Sequence, residues 1–106
     1  MEVIEITDQD FEKEVLQFDL PVFICFTTSW CGSCFPTCMF VSSIAEEYGE
    51  MVKFVRCDIE RCTEVAKKYR IEVVPTIALF QDCEIVKKVT GFQEKQTLRH
   101  LLETYL

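Results

Sequence analysis

Pro21-Val22-Phe23-Ile24-Cys25-Phe26-Thr27-Thr28-Ser29-Trp30-Cys31-Gly32-Ser33-Cys34 is the stretch on which the fold turns. Val22 to Phe26 is an unbroken apolar run with β-branched and aromatic members, the pattern of a strand buried on both faces. From Gly32 to about Tyr48 the period changes. Cys34, Cys38, Val41, Ala45 and Tyr48 recur at helical spacing, and Phe40 and Ile44 widen that stripe into a buried face. Gly49 follows as a helix-ending glycine of the usual left-handed kind. A buried strand therefore runs into an amphipathic helix, with a C-x-x-C at the junction.

The rest of the chain supplies the partners that such a unit needs. Val3, Ile4 and Ile6 read as a short strand, and Asp8 as the cap of a helix carrying Phe11, Val15 and Phe18. Val52 to Cys57 is a second buried strand, and Cys62, Val65, Ala66 and Tyr69 mark a short amphipathic helix. Thr76 to Phe80 and Glu84 to Val89 read as an antiparallel hairpin. Leu98, Leu101, Leu102 and Tyr105 give a closing helix one apolar face. Strands separated by helices imply parallel crossovers, and the hairpin adds antiparallel strands. The expected class is α/β, with a central mixed sheet of about five strands flanked by about four helices. The 106 residues suit a single domain, 1–106, because a second core would not fit.

Composition narrows the function. Apolar residues are 49% of the chain and charged ones 27%, which is ordinary globular usage. There is no run of about 18 uncharged apolar residues, so no membrane association is expected. A net charge of −7 repels phosphate backbones, so nucleic acid is not an expected partner. Met1 to Phe11 has acidic residues and no apolar run, unlike a secretory signal. The expectation is a cytoplasmic protein whose seven cysteines are mostly thiols. Seven is an odd number, so they cannot all pair within the chain.

Cys31 lies where the strand ends and the helix begins. The helix dipole and free N–H groups there favour an anion, so its thiol pKa should fall. A thiolate at that point attacks a substrate disulfide, and Cys34, one turn on, is placed to attack the mixed disulfide and release the product. The competing use of a C-x-x-C, half of a zinc knuckle, needs two more ligands. The chain has only one histidine, His100, which falls off the apolar stripe of the last helix as a solvated residue.

Trp30-Cys31-Gly32-Ser33-Cys34, the later Tyr69-Arg70-Ile71-Glu72-Val73-Val74-Pro75-Thr76, and Gly91 together resemble the thioredoxin family. The resemblance runs from Val3 to Leu106. It implies a thioredoxin fold and an enzyme that reduces protein disulfides, with a reductase as electron donor. It also implies a cis bond before Pro75 facing the cysteine pair. Trp30, Gly32, Val74, Pro75, Thr90 and Gly91 would line an apolar substrate rim around Cys31. No cofactor and no metal is expected, and the chain is expected to act as a monomer.

The chain departs from the family's pattern at several points. Ser33 stands in place of the usual proline, Phe35 in place of a common lysine, and Met39 in place of the kink proline, while Pro36 appears early in the helix. Cys25 replaces the buried aspartate that the family uses as proton acceptor for the second thiol. Arg56 falls near that acid's partner lysine, now without its acid. Asp58 and Glu60 are the carboxylates available instead. Cys38, Cys57 and Cys62 read as small core residues, and Cys83 as an exposed residue replacing a turn glycine. Two other functions fit less well. One is a metal or iron–sulfur module using Cys31, Cys34 and Cys38. The other is an interaction protein with weak redox activity.

Overall fold

The computed structural model describes residues 3–106. In chain order the elements are β1 (Ile4–Ile6), α1 (Asp8–Phe11) continued by a π-helical turn (Glu12–Leu16), β2 (Val22–Thr27) and α2 (Cys34–Tyr48). There follow β3 (Lys53–Asp58), α3 (Thr63–Lys68), β4 (Thr76–Gln81), β5 (Glu84–Thr90) and α4 (Lys95–Thr104). The five strands form one sheet in the order β1-β3-β2-β4-β5. β1 and β2 run parallel to β3, whereas β4 is antiparallel to both β2 and β5. The mixed sheet and its helices are those that the alternation of apolar patterns implies.

β2 is hydrogen-bonded on both sides and buried along its whole length, as its continuous apolar run requires. Side chains on a strand alternate between faces, so one strand serves two cores. Val22, Ile24 and Phe26 join Phe11, Val15 and Val65 beneath α1, its π-helical extension and α3. Phe23 and Cys25 join Val41, Ile44 and Ala45 of α2 and Leu98, Leu101 and Leu102 of α4.

Three local expectations are corrected. The first concerns Asp8. The residue capping α1 is Thr7, whose backbone N–H donates to Asp10 Oδ2 at 3.1 Å. The Asp8 carboxylate instead accepts from the N–H groups of Glu64 and Val65 at 3.1 and 3.0 Å, so it caps α3, a helix remote in sequence. The second concerns Phe18, which lies beyond the helix, partly exposed, with the Lys53 ammonium 3.9 Å from its ring centroid. The third concerns Gly49, which ends α2 in right-handed geometry (φ −61°). The Tyr48 carbonyl takes the N–H groups of Met51 and Val52 there, so no left-handed residue is needed.

Candidate active site

β2 delivers the chain to the loop 28–33, and Ser33 caps α2, so that Cys34 is the first helical residue. Cys31 and Cys34 are joined in a disulfide with their Cα atoms 5.3 Å apart. The two sulfurs differ in access. Cys34 is 4% exposed, whereas Cys31 is half-buried at the loop's outer side. Ser33 Oγ lies 3.6 Å from Cys31 Sγ. Pro36 is the third residue of α2, where its missing N–H costs no helical hydrogen bond, and the helix runs unbroken past Met39.

The segment before β4 comes back against this loop. Val74–Pro75 is a cis peptide bond, and the Val74 carbonyl oxygen lies 3.7 Å from Cys31 Sγ. The Pro75 carbonyl accepts from the Gly91 N–H at 2.7 Å, which ties this turn to the end of β5. Gly91 has φ +82°, a conformation that a side chain would strain. A Cβ at Gly32 would meet nothing within 4 Å, so the fold itself does not require glycine there.

Of the six residues expected at the rim, Trp30, Gly32 and Thr90 are exposed, and Val74 and Gly91 are half-buried. Pro75 is buried and lies beneath the surface rather than on it. The apolar surface is carried by Trp30 (73% exposed) and Phe35 (71%), with Val73 and Phe92 also exposed. Phe92 went unnoticed in the sequence because it follows the strand pattern's end. Its ring packs 6.1 Å from that of Phe40.

The family model for Thioredoxin matches residues 2–104. The chain belongs to the thioredoxin family. It is similar to the thioredoxin of Porphyra purpurea, with 37% identity over 106 residues, 100% of this chain and 99% of the relative. It is similar also to thioredoxin 1 of Synechococcus elongatus, with 36% identity over 101 residues (95% and 94% of the two chains). The thioredoxin of Rickettsia felis is 36% identical over 93 residues (88% and 89%). With a bonded C-x-x-C at a helix N-terminus, this thioredoxin-family chain is a dithiol thiol–disulfide oxidoreductase. The family implies protein disulfides as substrates and a reductase as partner.

A cleft of about 310 Å³ below the disulfide is lined by Glu5, Thr28, Cys34, Cys38, Arg56 and Asp58 among others. Arg56 is not left without an acid: its guanidinium donates to Glu5 Oε1 at 2.7 Å. The parallel register of β1 and β3 sets Glu5 beside Arg56 and so creates that pair. Glu5 was missed from sequence, although its outward place between Ile4 and Ile6 was the available signal. Asp58 lines the cleft; Glu60 does not, and its N–H donates to Asp58 Oδ1 at 2.9 Å.

The remaining cysteines also find places. Cys25 is 1% exposed, and its sulfur lies 3.7 Å from that of Cys38. Cys38 is therefore half-buried beside Cys25 and does not complete a ligand set with Cys31 and Cys34. Among the described residues, no cluster of three or more His, Cys, Asp or Glu side chains is placed to hold a metal ion. The hydrogen bond from Cys25, aided by the charge of Arg56, lowers the Cys38 thiol to about 7 against the opposing effect of burial. The same hydrogen bond, and then burial, push Cys25 up. Cys57 and Cys62 are core residues, and the Cys62 thiol donates to the Ile6 carbonyl at 3.1 Å. Cys83 is exposed in a turn where both Asp82 (φ 52°) and Cys83 (φ 69°) are left-handed. His100 is exposed. Among the described residues no helix is long and apolar enough to cross a membrane.

Proposed function

We propose that Cys31 is the attacking thiol and Cys34 the resolving thiol in the reduction of protein disulfides. The supporting observation is their unequal access at one helix terminus: Cys31 reaches the surface while Cys34 is closed in. The Cys31 thiolate attacks one sulfur of a substrate disulfide, and the other leaves as a thiolate. Cys34, once deprotonated, attacks Cys31 Sγ, frees the second substrate thiolate and closes the Cys31–Cys34 bond. A reductase returns the pair to the dithiol. Trp30, Gly32, Val74, Pro75, Thr90 and Gly91 are assigned to substrate binding. Trp30 and Phe35 supply apolar contact, Val74 its backbone, and Pro75 and Gly91 the tied turn that holds it. The chain acts as one domain over 1–106, as a monomer, in the cytoplasm. The assignment is tested by alkylating the reduced protein at neutral pH. Cys31 should react well ahead of Cys34, and faster reaction at Cys34 reverses the roles.

The weak step of this cycle is the deprotonation of Cys34, because Cys25 stands where a carboxylate would serve. Each unit of raised pKa costs a thiolate about 1.36 kcal/mol, or roughly tenfold in population. Nucleophilicity rises with pKa along a Brønsted slope of about 0.4–0.5, so the net rate loss is a few-fold per unit. Cys25→Asp should therefore speed release of a labelled substrate a few-fold near pH 7 in single turnovers. It should also make stability fall as pH rises. A buried acid has its folded pKa raised, so the folded state holds the extra proton between the unfolded and folded values. Equal release rates in both proteins from pH 6 to 9 would assign the proton to another acceptor, with Asp58 in the cleft the next residue to replace.

A further inference from the structure

The reaction of Cys31 and Cys34 makes no use of two other thiols that lie close to them. Cys25 is fixed in the middle of β2, in register with Arg56 on β3 and Ile77 on β4. Its side chain is closed off from solvent. Cys38 comes from α2, one turn after Cys34, and opens onto two surface depressions that Arg56 and Phe35 also line. The two sulfurs are 3.7 Å apart. An accessible sulfur, a neighbouring cation and a second thiol within reach are the features of a cysteine that oxidises reversibly rather than terminally.

We propose that Cys38 and Cys25 form a second redox couple, oxidised by hydroperoxides. The Cys38 thiolate attacks the terminal oxygen of the hydroperoxide, the O–O bond breaks, and the alcohol or water leaves with a proton. Cys38 is then a sulfenic acid. The Cys25 sulfur attacks the Cys38 sulfur, the S–O bond breaks, and water departs with the Cys25 proton. Two thiols have lost two electrons and the peroxide has gained them. Bond formation needs the sulfurs to close from 3.7 Å to about 2.05 Å. The movement falls to Cys38 on the half-buried helix face, since β2 is held on both sides. The Cys25 thiol, with its raised pKa, stays protonated until the sulfenic acid forms, so Cys38 reacts first.

The two remaining buried cysteines make an internal control. Cys57 and Cys62 are both fully buried, and neither offers a sulfur to a peroxide. The test uses the full chain with Cys31→Ser, Cys34→Ser and Cys83→Ser, which leaves Cys25, Cys38, Cys57 and Cys62. One equivalent of hydrogen peroxide should remove two of the four thiols and lower the mass by two units. Cleavage at Phe26 and Trp30 separates Cys25 from Cys38, so a linked peptide pair identifies the bond. Adding Cys38→Ala should abolish the loss. Adding Cys25→Ala should leave a Cys38 sulfenic acid that dimedone traps. The Cys38→Ala arm, at a half-buried position, stands on its own should the Cys25 variant not fold. An unchanged thiol count, a Cys57–Cys62 bond, or a sulfinic acid at Cys38 with Cys25 still reduced would overturn the proposal.

Discussion

Cys34→Ser is expected to halt the reaction at the mixed disulfide, with close to one substrate molecule held covalently on each protein molecule. Formation of the adduct needs only the Cys31 thiolate, and the helix N-terminus that favours it is untouched by the change. Resolution needs a sulfur nucleophile at 34. A serine hydroxyl there is neutral at any working pH and does not displace a thiolate. Cys31→Ser removes the first step instead, so no adduct forms, and Cys34, 4% exposed, does not replace it. Steady-state turnover should fall by on the order of a thousandfold or more in both variants, because the pair acts as a unit and loss of either member stops the cycle. Mass spectrometry under non-reducing conditions distinguishes them. An adduct on Cys31→Ser, or none on Cys34→Ser, would invert the assignment.

The largest expected effect on stability lies on the opposite face of the sheet. Phe80→Ala should cost about 3–5 kcal/mol, the range for deleting a buried aromatic ring that neighbours cannot replace. Phe80 is 2% exposed, and two other rings meet it edge-on: Phe11 at 5.7 Å and Tyr69 at 5.2 Å between centroids. The variant loses the burial of its own ring and both aromatic contacts, each contact worth about 0.5–1.5 kcal/mol beyond burial. Against a domain stability of about 5–15 kcal/mol, that is a large fraction. The urea midpoint should drop sharply with the slope unchanged. Disulfide reduction per folded molecule should stay near that of the parent, because Phe80 belongs to the core under α1 and α3 while the redox pair begins α2. A loss below about 1.5 kcal/mol would mean that the three-ring cluster relaxes into the gap.

What could be read in advance was whatever repeats along the chain. Val22 to Phe26 lies buried on both faces because a continuous apolar run has no polar side to turn outward. The spacing of Val41 and Ala45 placed α2 correctly, and the turn residues before Cys83 placed the hairpin. What could not be read was the meeting of residues from different elements. Asp8 looks like the cap of its own helix; only the packing of α1 beside α3 brings it to the N–H groups of Glu64 and Val65. Arg56 looked unpaired because its acid, Glu5, is 51 residues away and arrives through strand register. Cys38 reads as a small core residue, and Cys25 as the stand-in for a buried aspartate; neither reading joins the two. Their proximity depends on which turn of α2 crosses β2, and no periodicity encodes that. The resemblance sets Pro75 in the lining of the rim; its ring is buried, beside the half-buried Val74 and the exposed Val73.

The sheet has two outer strands, and each is poorly suited to accept a stranger. β1 is three residues long, and its Glu5 is engaged by Arg56 and Arg61. β5 carries the exposed charges Glu84, Lys87 and Lys88, and its pairing with β4 slips at Leu79 and Phe80. Short length, charge and an irregular step are the devices by which edge strands resist adding a further strand. A protein that repeatedly handles partly opened chains meets exposed backbone at every encounter. With both margins of the sheet blunted, such a chain finds no long ladder to extend. On the reading proposed above, a client set free by disulfide exchange has no sheet edge to hold it.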